Sequence, residues 1–136
     1  MNFKYSRSPS RDPAFPYFLH PLVSIRLYRG QASVPLIGLI DSGADYTVFD
    51  YRIAKQLYID WKTGKQSQIS GIDGKPTISY LHDLEIEIVG LANGKVKSTV
   101  AFAELKGVGV LLGQYGFFEH FKVSFDAQNE TFSIDL

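Results

Sequence analysis

The chain contains no cysteine. Disulfides and thiolate metal sites are thereby excluded. It also lacks net charge: Lys and Arg total 14, and Asp and Glu total 14. That balance gives no electrostatic basis for nucleic acid or an anionic membrane as partner. No apolar run approaches the roughly 18 residues of a membrane-spanning helix, and the first residues lack the apolar core of a secretory signal. The expectation from these absences is a soluble, cytoplasmic protein. Histidine is scarce, and His20, His82 and His120 lie far apart without the short spacings of a zinc site. No metal or other cofactor is expected. No phosphate-loop pattern, internal repeat or low-complexity segment is present either.

What is present is a chain of 136 residues with 45% hydrophobic content, enough for one domain with a real core. Residues 1–18 read as a flexible N-terminal tail. They are polar and mildly basic at first, and Pro9, Pro13 and Pro16 interrupt any regular element. The apolar stretch Phe15, Tyr17, Phe18, Leu19 leaves docking on the domain or on a second chain as the other reading. The domain itself is taken as residues 19–136.

From Pro21 the pattern is mostly β. Val23, Ile25 and Leu27 alternate with Ser24, Arg26 and Tyr28, which predicts a half-buried strand. Val34 to Ile40 is nearly continuous in apolar residues and suits a strand buried on both faces. Thr47 to Phe49 reads as a short strand, and Asp50 as the N-cap of a helix over Tyr51 to Ile59. One apolar face of that helix would hold Ile53, Leu57 and either Ala54 or Tyr58. Trp61 to Gln66 reads as a polar connector. Two strands flank Gly71-Ile72-Asp73-Gly74-Lys75, a hairpin with a glycine-rich tip. Leu84, Ile86 and Ile88 form the inner side of a further strand, with Glu85 and Glu87 outside and His82-Asp83 solvated. Asn93-Gly94 predicts a type I′ hairpin turn. Val108 to Leu112 is a second buried run, and Tyr115 to Phe121 is an aromatic-rich helix or turn whose rings belong to the core. Phe121 to Leu136 closes the chain with a last hairpin.

The most informative run is Ile37-Gly38-Leu39-Ile40-Asp41-Ser42-Gly43-Ala44-Asp45-Tyr46-Thr47-Val48. An apolar strand delivers Asp41 into a tight Ser-Gly turn, and a second apolar strand follows. An ionised carboxylate at the end of a buried strand is costly unless something compensates it. Asp41 is therefore the candidate acid/base. Ser42 offers a short hydroxyl that can bond across a symmetric contact. Gly43 lets backbone N–H groups approach the carboxylate closely. The run occurs once, whereas water-activating carboxylate chemistry uses a pair: one member charged, the other holding a proton. The second carboxylate must come from another copy of the chain.

With Pro21-Leu22-Val23-Ser24-Ile25 before it, and Gly71-Ile72-Asp73-Gly74 and Val110-Leu111-Leu112-Gly113 after it, this run resembles the retropepsin-like aspartic peptidases, the single-domain retroviral type and its cellular and bacterial relatives. The resemblance covers about residues 20 to 126. It implies an all-β closed or barrel-like domain with one or two short helices and a flap hairpin, active as a homodimer on a peptide or protein substrate. It implies Asp41 as the catalytic Asp within the loop Asp41, Ser42, Gly43, with Ser42 in place of the more usual viral Thr. Ala44 and Asp45 would hold the substrate backbone. Gly71, Ile72, Asp73 and Gly74 would be the flap that closes over it. Leu39, Val48 and Leu111 would line apolar subsites. Three features depart from the family pattern: Gln114 replaces an Arg, His20 replaces an Arg of viral members, and the C-terminus continues into a hairpin. These departures motivate an alternative, a peptide-binding or dimerisation module without turnover. A plain structural β-domain in which Asp41-Ser42-Gly43 is only a turn is the third reading.

Overall fold

The computed structural model describes residues 1–70 and 74–136. Its elements are β1 (Asn2–Lys4), β2 (Ser6–Pro9), β3 (Tyr17–His20), β4 (Leu22–Arg29), β5 (Ala32–Ile40), β6 (Val48–Asp50), α1 (Tyr51–Gln56), a 3-10 turn (Trp61–Thr63), β7 (Lys65–Ser70), β8 (Pro76–Ile88), β9 (Lys95–Ala103), β10 (Val110–Leu112), β11 (Lys122–Asp126) and β12 (Thr131–Asp135).

Six strands close on themselves in the order β4-β5-β10-β6-β9-β8, with β8 returning to β4, while β7 extends from the free half of β8. The barrel is mixed: β10 runs parallel to β5, and β6 parallel to β9. Alternation explains its core. Val23, Ile25 and Leu27 of β4, Leu84, Ile86 and Ile88 of β8, and Phe49, Phe102, Val110 and Leu112 all turn inward and are buried. Gly38 lets β10 lie close to β5, since a Cβ there would meet Leu112 Cδ1 at 2.8 Å. The all-β barrel expected from the sequence is the fold observed.

Several local expectations are corrected. The segment 1–18 is not a free tail here: β1 pairs with β12, and β2 pairs with β3 as a two-stranded arm. Phe3 stacks on Phe132 at 5.3 Å between ring centroids, and Arg7 bonds Glu130, so apolar and ionic contacts offset the prolines. β5 is buried on one face only, leaving Ile37 64% exposed. The helix ends at Gln56, because the chain turns at Leu57 and Tyr58 takes a positive φ of 57°. Ala54 and not Tyr58 completes its buried face. The connector at Trp61 includes the 3-10 turn and gives way to β7 at Lys65.

β8 is a single strand of 13 residues where two were expected. His82 does not interrupt it and is half-buried: Nε2 lies 2.8 Å from the Trp61 carbonyl oxygen, and the ring meets Phe102 edge-on. Glu85 and Glu87 are likewise half-buried, and Glu87 accepts a hydrogen bond from the Tyr28 hydroxyl. The connection at Asn93 is longer than a two-residue turn. Gly90 and Asn93 adopt positive φ, but Gly94 does not, and Ile88 N–H donates to the Gly94 carbonyl. Among the four aromatics near residue 117, Phe117 and Phe121 are buried, Phe118 is half-buried and Tyr115 is exposed.

Candidate active site

The loop carrying Asp41 begins where β5 leaves the barrel. Ile40 N–H donates to the Pro21 carbonyl and Asp41 N–H to the Leu112 carbonyl, both at 3.0 Å, so the end of β5 is pinned from either side. Beyond it the turn is closed by Ala44 N–H on the Asp41 carbonyl at 3.1 Å. Gly43 N–H donates to Asp41 Oδ1 at 2.9 Å, which orients the carboxylate. Asp41 is half-buried, and Ser42 and Gly43 are exposed. This is a carboxylate held by one backbone donor and partly open to solvent, with the chemistry to move a proton or to orient a water.

The loop is supported from beneath by Gly113 to Tyr115. Gln114 N–H donates to the Ala44 carbonyl, Tyr115 N–H to the Asp45 carbonyl, and Thr47 N–H to the Tyr115 carbonyl. The Tyr46 and Tyr115 rings lie 5.7 Å apart between centroids. Gly113 is required for this approach, because a Cβ there would collide with the carbonyl oxygens of Ala44 and Tyr46. Thr47 is fully buried, and its Oγ1 accepts the Gly113 N–H at 3.1 Å. Gln114 Nε2 donates to the Ser42 carbonyl at 2.8 Å. The Asp45 carboxylate is exposed and makes no ion pair among the described residues.

Two grooves flank the segment from Glu104 to Val110. The first is lined by Gly43, Ala44, Asp45, Tyr46, Val48 and Leu111, with Gln68, Ile69, Ser70 and Thr77 from the β7–β8 hairpin and Glu104 and Leu105 opposite. The second is lined by His20, Leu22, Ile37, Leu39 and the stretch Gly107 to Val110. In register, Leu111 stands beside Leu39 on one side and Val48 on the other. Ala44, Asp45, Val48 and Leu111 come together in the first groove, while Leu39 lines the second. Gly74, with φ +73°, lies just before β8; Gly71, Ile72 and Asp73, assigned with it to the flap, lie outside the described residues.

The sequence reading missed Thr47 as a buried support, the Ser42 carbonyl as the partner of Gln114, and the walls supplied by Ile69, Thr77, Glu104 and Leu105. The hairpin positions were detectable, because alternation in β7 and β8 sends Ile69 and Thr77 to the same side, and they are paired in register. Among the described residues no group of three or more His, Cys, Asp or Glu side chains is placed to hold a metal ion, and no helix is long and apolar enough to cross a membrane.

No family model matches the sequence, and no curated protein matches it. Solved structures do. A retropepsin-like aspartic protease from Rickettsia conorii matches with a TM-score of 0.65 and 17% identity, over 99% of this chain and 98% of that one. The retroviral protease-like domain of Ddi1 from Leishmania major matches with a TM-score of 0.53 and 14% identity, over 84% and 88%. The EIAV protease, in complex with the inhibitor HBY-793, matches with a TM-score of 0.52 and 21% identity, over 69% and 81%. The fold of this chain is retropepsin-like.

Proposed function

We propose that the protein is an aspartic endopeptidase that works as a homodimer, with Asp41 of each copy at the two-fold axis. The observation that carries this reading is the Asp41 loop itself: a carboxylate at the mouth of a retropepsin-like barrel, oriented by Gly43 N–H and backed by Gly113 and Gln114. One copy supplies one such carboxylate, and the chemistry needs two.

In the dimer the pair holds one charge and one proton. The charged carboxylate takes a proton from a water as that water attacks the scissile carbonyl carbon. The protonated one hydrogen-bonds the carbonyl oxygen and stabilises its developing charge. Proton transfer to the departing amine nitrogen then completes hydrolysis. The Ala44 and Asp45 backbone and the Asp45 carboxylate hold the peptide main chain. Val48 and Leu111 in one groove, and Leu39 in the other, receive apolar side chains, and the β7–β8 hairpin covers the substrate and excludes water.

The second reading, a peptide-binding module without turnover, draws on Gln114, which can donate a hydrogen bond but cannot neutralise Asp45. Cleavage of a peptide library by the wild type and by Asp41→Asn separates the two. Asp41-dependent hydrolysis supports the peptidase. Peptide retention with no hydrolysis by either chain supports the module.

A further inference from the structure

Asp50 closes β6 at only 5% exposure, an unusual place for a carboxylate. Part of its role is ordinary capping: Oδ2 accepts from Arg52 N–H at 3.3 Å at the start of α1, and from Arg52 Nε at 2.7 Å. Its other contacts reach far along the chain. Oδ1 accepts the Leu105 N–H at 3.2 Å, and the Asp50 backbone N–H donates to the Gly109 carbonyl at 2.8 Å. One residue therefore grips both ends of the segment 105–109.

That segment has little else to hold it. The Leu105 side chain packs against the small cluster of Val48, Ala101 and Ala103, but Lys106, Gly107 and Gly109 are exposed. Gly107 takes a positive φ of 79°, and a Cβ added at Gly107 or Gly109 would meet nothing within 4 Å. Yet the segment is the partition between the two grooves: Glu104 and Leu105 wall the first, and Gly107, Val108 and Gly109 wall the second. Any shift of it widens one groove at the expense of the other.

We propose that Asp50 is a positioning residue that sets the side-chain selectivity of both grooves by clamping the segment 105–109 as their common wall. The inference rests on the peptidase reading for the identity of the grooves as peptide subsites. Burial pushes the Asp50 carboxyl up, but hydrogen bonds from Arg52 and Leu105 together outweigh it and hold the carboxyl below its ordinary range.

The test uses Asp50→Ser and Asp50→Asn in the full chain. Ser keeps a good N-cap but is too short to reach Leu105; Asn keeps the reach but supplies one acceptor oxygen in place of two. Amide hydrogen exchange and peptide retention are measured together. Retention is read from a random peptide mixture in an Asp41→Asn background, so that it does not depend on turnover. In Asp50→Ser, exchange at Leu105 should rise about tenfold or more while β8 and β9 stay protected, and the retained peptides should broaden at the positions that enter the two grooves. Asp50→Asn should fall between this variant and the parent, and it carries the test if the Ser variant does not fold. In whichever variant folds, unchanged exchange at Leu105, an unchanged set of retained peptides, or no retention by either chain would each overturn the inference, as would loss of protection throughout the barrel in both variants. Failure of the peptidase reading is seen separately, as absence of cleavage by the chain with Asp41 intact.

Discussion

The Gln114 side chain donates a hydrogen bond of 2.8 Å to the backbone carbonyl of Ser42. The position where the resemblance places an arginine beside Asp45 is thus used here to tie the support strand to the turn of the Asp41 loop. Gln114 N–H adds a second tie on the Ala44 carbonyl. Removing the carboxamide leaves the backbone tie intact and frees the turn. Gln114→Ala should lower kcat/KM about three- to tenfold, the equivalent of one neutral hydrogen bond, with little change in unfolding midpoint. Steady-state kinetics beside a urea titration checks this.

Thr47 places its buried hydroxyl against Gly113 N–H, from which Oγ1 accepts at 3.1 Å. Thr47→Val keeps the shape but leaves that buried N–H without a partner. The expected loss is about 1–3 kcal/mol of unfolding free energy, against a smaller loss for Thr47→Ser. Denaturant unfolding of both variants gives the comparison. A loss in Thr47→Ser larger than in Thr47→Val would mean that the methyl group, not the hydroxyl, matters.

Gly113→Ala should be more damaging, because backbone oxygens of Ala44 and Tyr46 occupy the place of the new methyl. Overpacking of a fixed site costs about 1–3 kcal/mol or more, and here relief requires moving the loop that holds Asp41. The variant should lose activity more steeply than stability. Activity at a temperature where circular dichroism still reports a folded barrel tests that.

How far the sequence carries can be judged from particular elements. The barrel was legible because Val23, Ile25, Leu27, Leu84, Ile86 and Ile88 alternate strictly with polar residues, and two-residue periodicity needs no tertiary information. The turn at Asp41 was legible because Asp, Ser and Gly between two apolar strands favour a tight turn, although those three residues would suit many turns. Ile37 was misread because an apolar side chain on the outer face of β5 looks the same in sequence as a buried one; at 64% exposure it faces the second groove. The Asp50 contacts were invisible for a different reason. The cap on Arg52 is a local signal, but the bond to Leu105 spans 55 residues and exists only once the barrel has closed. The strands in residues 1–18 depend in the same way on β12 and Glu130.

Glu130 ties the β2–β3 arm to the domain through Arg7, whose Nε lies 3.1 Å from Oε1. Hydrogen bonds from Arg7, and secondarily from Tyr17, hold its carboxyl below the ordinary Glu value. A carboxyl lowered in the folded state stabilises above its unfolded pKa, about 4.3, and loses that contribution as pH falls through the lower folded value. Amides of residues 6–8 and 17–20 should therefore stay protected at pH about 5 and lose protection as pH drops below about 4. Glu130→Gln should remove the pH dependence. Hydrogen exchange followed across that range checks both.

The central claim is that two Asp41 carboxylates, one from each copy, hydrolyse a peptide bond. Its most direct measurement is cleavage of a mixed peptide library between pH about 3 and 7, wild type beside Asp41→Asn, with mass followed by light scattering in the same buffers. The account predicts hydrolysis by the wild type only, rising with the fraction of dimer. Undiminished hydrolysis by Asp41→Asn, or hydrolysis by a chain that remains monomeric throughout, would contradict it.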